Sequence, residues 1–118
     1  MSYADGFVIP LPRSRVEEYR RLARKAGRIW REHGALEFRE CVLDDPKAVG
    51  ALSFPKGIRA KPGETVLFSW IVFKSKAHRD RVNAKVMKDP RLAGMSVERM
   101  PFDCKRMLYG GFKVLVDA

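Results

Sequence analysis

The feature that most constrains the fold is the run Thr65 to Phe73, TVLFSWIVF, which carries no charge and is apolar at both alternating sets of positions. Side chains of a strand alternate between its two faces, so this strand is predicted to be buried on both. The chain shows only two helical patterns, which are about enough to cover one face of a small sheet. The second face needs another cover, and a second copy of the chain is the simplest candidate.

Length and composition bound the class of protein. At 118 residues the chain is predicted to form one domain, residues 1–118, which is large enough to fold without a metal or a disulfide. Its longest apolar run is far shorter than the ~20 residues that span a bilayer, so no membrane segment is predicted. The first residues do not resemble an export signal. Cys41 and Cys104 are therefore expected to stay reduced, in the cytoplasm.

Half of the net charge of +10 lies in the segment Arg13 to His33, where eight basic residues accompany three glutamates. Apolar residues recur there at three- and four-residue steps, which predicts a helix. Ser14 is its predicted N-cap, Glu17 completes a capping box, and Gly34 is predicted to end the helix. Two interpretations of the charge stay open: a solvated basic face, or a stripe that follows a phosphate backbone. The stripe would consist of Arg20, Arg21, Arg24, Arg28 and Arg31.

The remaining elements follow from alternation and from residues that break regular structure. Besides Thr65–Phe73, strands are predicted at Asp5–Leu11, Leu36–Leu43 and Lys105–Val116, and a second helix runs from Ser75 to just before Pro90. The loop Asp44–Gly63 is predicted to hold at most a short extended piece around Leu52–Phe54. A connection of this length is typical of a lid, a binding loop or an arm that reaches a partner.

The order strand, helix, strand, loop, strand, helix, strand predicts an α+β domain with the ferredoxin-like plan. In that plan four antiparallel strands carry two helices on one face, and two such sheets that meet through their open faces make a dimeric α/β barrel. A homodimer through the open sheet face is therefore expected. RNA-recognition modules share the plan, but their strand motif requires a glycine and a basic residue that TVLFSWIVF lacks.

Motifs for common chemistry are missing from the sequence. It has no glycine-rich phosphate loop, no cysteines or histidines at metal-ligand spacing and no nucleophile elbow, so neither a cofactor nor a metal is predicted. His33, at the end of the first predicted helix, is interpreted as a partner of the helix dipole rather than as a catalytic base.

Two groups of polar residues stand among apolar ones, in the second helix and in the block Met100 to Phe112. Each group has a structural interpretation. In the helix, Arg79 covers the core with its stem and extends its head into water, and Asp80 and Asp89 could pair with Arg79 or Arg91. In the C-terminal block, a salt bridge closes a loop. The functional interpretation is a pocket that orients a small polar ligand. Its predicted ligand-binding residues are Trp70, Arg79, Asn83, Met87, Asp103, Arg106 and Tyr109.

Several separate blocks carry a resemblance to a known family. They are DGFVIPLP, REHGALEFREC, SFPKGIRAKPGE, VLFSWI, RDRVNAKVMKDPR and MPFDCKRMLYGGF, in that order from about Tyr3 to Phe112. Together they resemble the YbaA-like bacterial proteins, a family of unknown function. The resemblance implies a ferredoxin-like, dimeric α/β-barrel fold and brings no catalytic residue with it. One departure is Cys104, where the family's turn has glycine, and cysteine would be strained if that turn needs positive φ.

Three functions stay open on these grounds. The first is a site between sheet and helices that binds a small polar or anionic organic ligand, with a cofactor-independent enzyme as its most specific form. The second is an RNA- or DNA-binding module that uses the arginine-rich first helix. The third is a dimeric scaffold or stress protein without a ligand.

Overall fold

The structure is a computed structural model and describes residues 2–118. This part of the chain contains four strands and three α-helices. They are β1 (Tyr3–Pro12), α1 (Val16–Glu32), β2 (Glu37–Val42), α2 (Phe54–Gly57), β3 (Glu64–Phe73), α3 (Lys76–Met87) and β4 (Leu108–Lys113). Short 3₁₀ turns occupy Arg13–Arg15, Pro90–Leu92, Val97–Arg99 and Cys104–Arg106.

The strands form one sheet in the order β2-β3-β1-β4, and each neighbouring pair is antiparallel. The two longest strands, β1 and β3, lie inside the sheet, and β2 and β4 form its edges. Gly6 of β1 pairs with Trp70 of β3 and with Gly110 of β4, which sets the register across the centre. The predicted α+β class is confirmed, because an open antiparallel sheet is accompanied by helices.

One face of the sheet packs against α1 and α3. Ile71 and Phe73 of β3 lie in a buried cluster with Ile29 of α1 and with Val82 and Val86 of α3. Each of these side chains contributes roughly 1.5–3 kcal/mol by leaving water. Both helices are therefore held on the same side of the sheet by their apolar stripes.

The opposite face of the sheet is only partly covered within one chain. Val66 is buried there, whereas Phe68 is 46% exposed, and α2 reaches this face through an edge-on contact between Phe54 and Phe68. On β4, Leu108 and Phe112 are also exposed. The prediction that β3 is buried on both faces thus holds for the helix-covered face and only partly for the other.

The predicted start of the first helix is wrong. Ser14 lies inside the 3₁₀ turn that precedes α1, so its backbone does not take the extended conformation that an N-cap needs. α1 begins at Val16 without a side-chain cap, and Arg15 pairs with Glu18 at 2.8 Å across its first turn. The end of the helix is as predicted, because Gly34 follows it with a φ of +117°.

The second long helix and the long loop differ in how well they were predicted. Ser75 caps α3 as predicted, since its hydroxyl accepts a hydrogen bond from the His78 amide at 3.1 Å, and α3 ends before Pro90. In the loop, Ser53 is extended as predicted, but the one-turn helix α2 that begins at Phe54 was not predicted. The physical reason is local: Ser53 caps this turn, and Pro55 suits the first positions of a helix.

The last strand is shorter than predicted, at Leu108–Lys113 instead of Lys105–Val116. The Asp103 side chain accepts a hydrogen bond from the Lys105 amide at 3.0 Å and so stabilises a 3₁₀ turn just before the strand. Across residues 2–118 Arg59 is the only non-glycine residue with positive φ, so Cys104 is not strained in this turn.

Three further observations concern residues 2–118 as a whole. Cys41 and Cys104 are free thiols. This part of the chain has no helix of the length and apolar character needed to cross a membrane. It also has no group of histidine, cysteine, aspartate and glutamate side chains arranged to hold a metal ion.

Candidate functional site

A cavity of about 600 Å³ lies between the helix-covered face of the sheet, α1 and the segment 87–107. Cavities of this volume accommodate drug-sized molecules. Its wall is mainly apolar, and the sheet and α1 contribute Phe7, Ile9, Ile71, Leu22, Ala26 and Trp30 to it.

The third side of the cavity is rich in methionine. Met87, Met95, Met100 and Met107, together with Phe102, line it from the segment that follows α3. Methionine side chains are flexible and polarizable, and they adapt to ligands of different shape. This side of the cavity is therefore suited to repack around a bound molecule.

The cavity wall includes the charged residues Arg39, Lys88 and Asp89 and, between α1 and the sheet, a tyrosine–glutamate pair. The Tyr19 hydroxyl on α1 lies 2.9 Å from each carboxylate oxygen of Glu40 on β2. Ser69 of β3 is buried and stands directly opposite Glu40 in the sheet. Glu40 thus receives hydrogen bonds from neutral hydroxyl groups and has no cationic partner among the ion pairs of residues 2–118.

This environment shifts the acidity of both members of the pair. Burial raises the pKa of Glu40, hydrogen bonds from Tyr19 and Ser69 lower it, and the balance leaves the pKa above its usual value. Burial and the neighbouring Glu40 charge raise the pKa of Tyr19. The phenol therefore stays protonated and donates. Although Glu40 is an exposed residue, partial desolvation of its carboxyl group lets it keep its proton to a higher pH than a fully hydrated glutamate.

Packing around α1 fixes the position of the pair. The Tyr19 ring packs against Phe102 at a centroid distance of 5.9 Å, and Phe38 packs against Trp30 at 6.2 Å. A Cβ added to Gly27 would lie only 2.8 Å from the Phe38 ring. The absence of a side chain at Gly27 therefore lets α1 approach β2 closely enough for Tyr19 to reach Glu40.

Arg79 and Tyr109, both predicted as ligand-binding residues, do come together. Arg79 donates to the buried Asp5 carboxylate at 2.7 Å, to the Tyr109 hydroxyl at 3.0 Å and to Asp80 at 2.8 Å. Its guanidinium also lies over the Tyr3 ring, 4.9 Å from the centroid. The predicted Arg79–Asp80 pair is confirmed, and two carboxylates already balance this cation.

Asn83 and Met87 are both placed at the cavity, in different ways. The Asn83 side-chain oxygen accepts a hydrogen bond from the indole nitrogen of Trp30 at 3.0 Å, and so orients a ring of the cavity wall. Met87 itself belongs to the cavity wall and is 66% exposed.

Of the other three predicted residues, Arg106 and Asp103 lie elsewhere, and Trp70 lines the cavity without turning its ring into it. Arg106 donates to both carboxylate oxygens of Glu64 at 2.8 Å and to the Arg59 carbonyl at 3.1 Å, which closes the end of the long loop. Asp103 caps the turn before β4. Trp70 belongs to a strand that borders the cavity, but its ring lies against Phe68 and its indole nitrogen points to Glu37 at 3.5 Å on the opposite face.

Sequence reasoning missed Tyr19, Glu40 and Ser69 as a site. A signal was available, because Glu40 lies two positions from both Phe38 and Val42. The three side chains therefore share one face of β2, and the carboxylate stands on its apolar side. The nearest polar partner could not be found in this way, since Tyr19 is 21 positions away and meets Glu40 only through the packing of α1.

Most of the arginines proposed for nucleic acid border a second space. Arg20, Arg24, Arg28 and Arg31 line a groove of about 480 Å³ between α1 and β2, whereas Arg21 lies outside it.

At the C-terminal end of α1, His33 lies 2.8 Å from the carboxylate of Asp89, which also pairs with Arg91. His33 is therefore tied to a salt-bridge cluster and is not a wall residue of the cavity.

Comparison with known proteins gives a family and no activity. The family model described as "Protein of unknown function (DUF1428)" matches residues 2–104. The uncharacterized protein YbaA of Escherichia coli (strain K12) is 43% identical over 117 residues, which is 99% of each chain, and that of Shigella flexneri has the same identity and coverage. Among solved structures, the de novo designed protein Foldit4 has a TM-score of 0.45 and 12% identity, covering 95% of this chain and 94% of its own. A similarity at that level establishes no relationship.

Proposed function

The chain belongs to the DUF1428 family of proteins of unknown function, and on that premise we propose that it binds a small organic molecule in the cavity beneath α1. Its 43% identity to YbaA also confirms the YbaA-like resemblance seen in the sequence. The observation that carries the proposal is Glu40, an acid bonded to the neutral Tyr19 hydroxyl in the wall of a mainly apolar cavity.

The apolar wall of the cavity favours a ligand with a large hydrocarbon part. Burying the hydrocarbon part of a ligand against the methionine and aromatic side chains contributes about 25 cal/mol for each Å² removed from water. Because methionine side chains are flexible, the cavity can accept ligands of different shapes. We therefore expect a molecule with an aromatic or aliphatic body.

The polar end of the ligand is expected to meet Glu40 and Tyr19. A carboxyl group with a raised pKa can donate a hydrogen bond when protonated and accept one when ionised. The same property suits it to transfer a proton to or from a bound molecule, for which side chains alone suffice. Proton transfer by Glu40, with Tyr19 as a hydrogen-bond donor, is thus the chemistry that the proposal favours.

Arg79 and Arg106 were predicted to bind the ligand, but we expect a different role for both. An anionic ligand at Arg79 or Arg106 would have to compete with Asp5 or Glu64, which already hold these side chains at 2.7 and 2.8 Å. We therefore assign Arg79 and Arg106 to the framework of the site, and we place the polar end of the ligand at Glu40.

A thermal-shift screen tests the proposal. Small aromatic and aliphatic acids, ketones and phenols are added to the purified protein, and a ligand at 100 times its Kd should stabilise it by about 2.7 kcal/mol. Met95→Trp should fill the cavity and abolish the shift. Val97→Trp is the matched control, because it introduces the same residue at an exposed position outside the wall.

A variant at Glu40 tests whether the polar end of the ligand contacts this side chain. Glu40→Gln should weaken ligands with a hydrogen-bonding end and leave purely apolar ligands unchanged. A screen in which no compound stabilises the protein, or in which Met95→Trp responds as the parent protein does, contradicts the proposal.

We further propose that the sheet follows the ferredoxin-like plan and that two copies pair through its open face. The strand order β2-β3-β1-β4 with antiparallel neighbours supports the plan, and exposed Phe68, Leu108 and Phe112 support the pairing. Sedimentation equilibrium should show a dimer that Phe68→Glu dissociates and that the control Val97→Glu preserves. A monomer at micromolar concentration would contradict the pairing and leave the cavity proposal intact.

A further inference from the structure

The groove between α1 and β2 carries an unbalanced positive charge. Arg20, Arg24, Arg28 and Arg31 line it from one side of α1, Arg39 adds a cation from β2, and Glu40 contributes one carboxylate. Arg20 pairs with Glu17, and Arg31 donates to the Leu36 carbonyl at 2.7 Å. Within residues 2–118, Arg24 and Arg28 pair with no carboxylate. The groove therefore favours an anionic occupant.

The other side of the groove is a free sheet edge. β2 pairs with β3 alone, and the Leu43 amide donates to the Val66 carbonyl at 2.9 Å. Backbone groups alternate along an antiparallel strand, so Phe38, Glu40 and Val42 turn their amide and carbonyl groups away from β3. Such an edge is a template on which another extended segment can add as a strand.

The spacing of the arginines fits an extended polypeptide. Residues four apart on a helix rise by about 6 Å, and residues two apart on a strand by about 6.8 Å. Alternate side chains of an added strand would therefore meet successive arginines along α1. From Arg20 to Arg31 the helix rises by about 16 Å, which matches roughly five residues of a strand.

We propose that this groove binds an acidic, extended polypeptide segment, which adds to the edge of β2 and places alternate carboxylates against Arg24 and Arg28. The partner is a protein or peptide in which acidic residues alternate with small apolar ones. Side chains of an added strand alternate between the two faces of the sheet, so the apolar ones point away from α1. Val16, Val42 and Leu67 in the groove wall contact the aliphatic stems of the acidic side chains. The inference is independent of the ligand proposed for the cavity.

A second copy of the chain is a poor occupant of the groove. Pairing of two β2 edges would bring two stripes of arginines together in a protein of net charge +10. Single-stranded nucleic acid is also less suited, because its binding sites offer free aromatic rings for base stacking. The aromatic residues of this groove are engaged: Phe38 packs against Trp30, and Tyr19 bonds to Glu40.

Fluorescence anisotropy with a labelled seven-residue peptide of alternating glutamate and valine tests the proposal. The double variant Arg24→Gln, Arg28→Gln should weaken binding at least tenfold. The matched control is Arg21→Gln, Lys25→Gln, which removes the same charge at the same spacing on α1 but outside the groove. An equal loss of affinity in both variants would show that the peptide responds only to the net charge of the protein, and it would overturn the proposed site.

Two further probes test the strand and the class of partner. N-methylation of the peptide amides that face β2 should abolish binding, and methylation of the alternate amides should not. Equal binding of the two methylated peptides overturns strand addition. Tighter binding of a single-stranded oligonucleotide, lost in the Arg24 and Arg28 variant, would instead make the groove a nucleic-acid interface.

Discussion

The cluster around Arg79 and the Tyr19–Glu40 pair are both polar groups beside the same sheet, but their charges are balanced differently. Arg79 binds the buried Asp5 and the exposed Asp80, so a cation meets two carboxylates. Glu40 meets only the neutral hydroxyl groups of Tyr19 and Ser69. The first cluster joins α3 to β1, whereas the second retains an acid whose proton can be exchanged.

The two clusters differ in which ionisable groups remain able to exchange a proton. A matched ion pair holds elements together, and its ionisable groups stay charged over the ordinary pH range. An acid without a cation, in an apolar wall, changes its protonation closer to neutrality. We therefore expect Asp5→Asn and Glu40→Gln to change the stability of the fold in opposite directions.

The largest effect is expected from Asp5→Asn. The substitution leaves the Arg79 cation beside a neutral amide in a site where the Asp5 side chain is 3% exposed. Breaking such a pair typically costs 3–5 kcal/mol, and the remaining Asp80 contact places the expected loss at about 3 kcal/mol. Urea unfolding measures it. Asp80→Asn, at the exposed end of the cluster, should cost less than ~1 kcal/mol, and equal losses would contradict the assignment.

The next effect concerns acid stability and the Arg106–Glu64 pair. The hydrogen bond from Arg106 is the main reason that the pKa of Glu64 is lowered to about 2. Since the folded pKa lies below the unfolded one, the contribution of Glu64 is complete above about pH 4.5 and is lost as the pH falls toward 2.

Glu64→Gln should therefore lower stability at pH 7 and flatten its decline between pH 5 and pH 2. Urea midpoints measured across this range test the expectation. A variant whose midpoints decline in parallel with those of the parent protein would show that another carboxylate governs acid unfolding.

A smaller effect is expected from Tyr19→Phe, which removes the hydroxyl that bonds to Glu40. The lost hydrogen bond should cost about 1 kcal/mol of stability. The pKa of Glu40 should rise further, because a donor to its charged form is gone. Carboxyl-carbon NMR titration reads the pKa directly, with Tyr109→Phe as a control that leaves Glu40 unchanged. A fall in the Glu40 pKa would contradict the proposed geometry.

The smallest effect, and the one of opposite sign, is expected from Glu40→Gln. The pKa of Glu40 is higher in the folded chain than in the unfolded chain. Its contribution to stability is therefore present below the unfolded pKa and is lost as the pH rises through the folded one. The glutamine variant should be as stable as the parent protein at pH 7, or slightly more so. Thermal unfolding at several pH values measures this, and a marked loss at pH 7 would mean that Glu40 is structural.

Sequence reasoning was most successful where short patterns decide the structure. The alternation from Thr65 to Phe73 predicted β3 to within one residue, and Ser75 was correctly placed as the cap of α3. It was least successful where two local signals compete. Ser14 has the chemistry of an N-cap, but the chain after Pro12 enters a 3₁₀ turn that includes it.

The candidate site was predictable only in part. Arg79, Asn83 and Met87 were chosen from one helix, and the structure places Asn83 and Met87 at the cavity. Arg106 and Asp103 looked convergent because they are close in sequence. In the fold Arg106 instead joins Glu64, 42 positions away, and Asp103 caps the turn beside it.

Residue types at short, regular spacings were sufficient to predict the order of the four strands and two long helices, the family and the concentration of arginine on α1. Which polar groups meet depends instead on the tertiary structure. Arg79 and Asp5 are 74 positions apart, and Tyr19 and Glu40 are 21 apart. Their pairing depends on strand order and on the approach of α1 at Gly27, and the same packing determines whether a charged group is neutralised or left able to react.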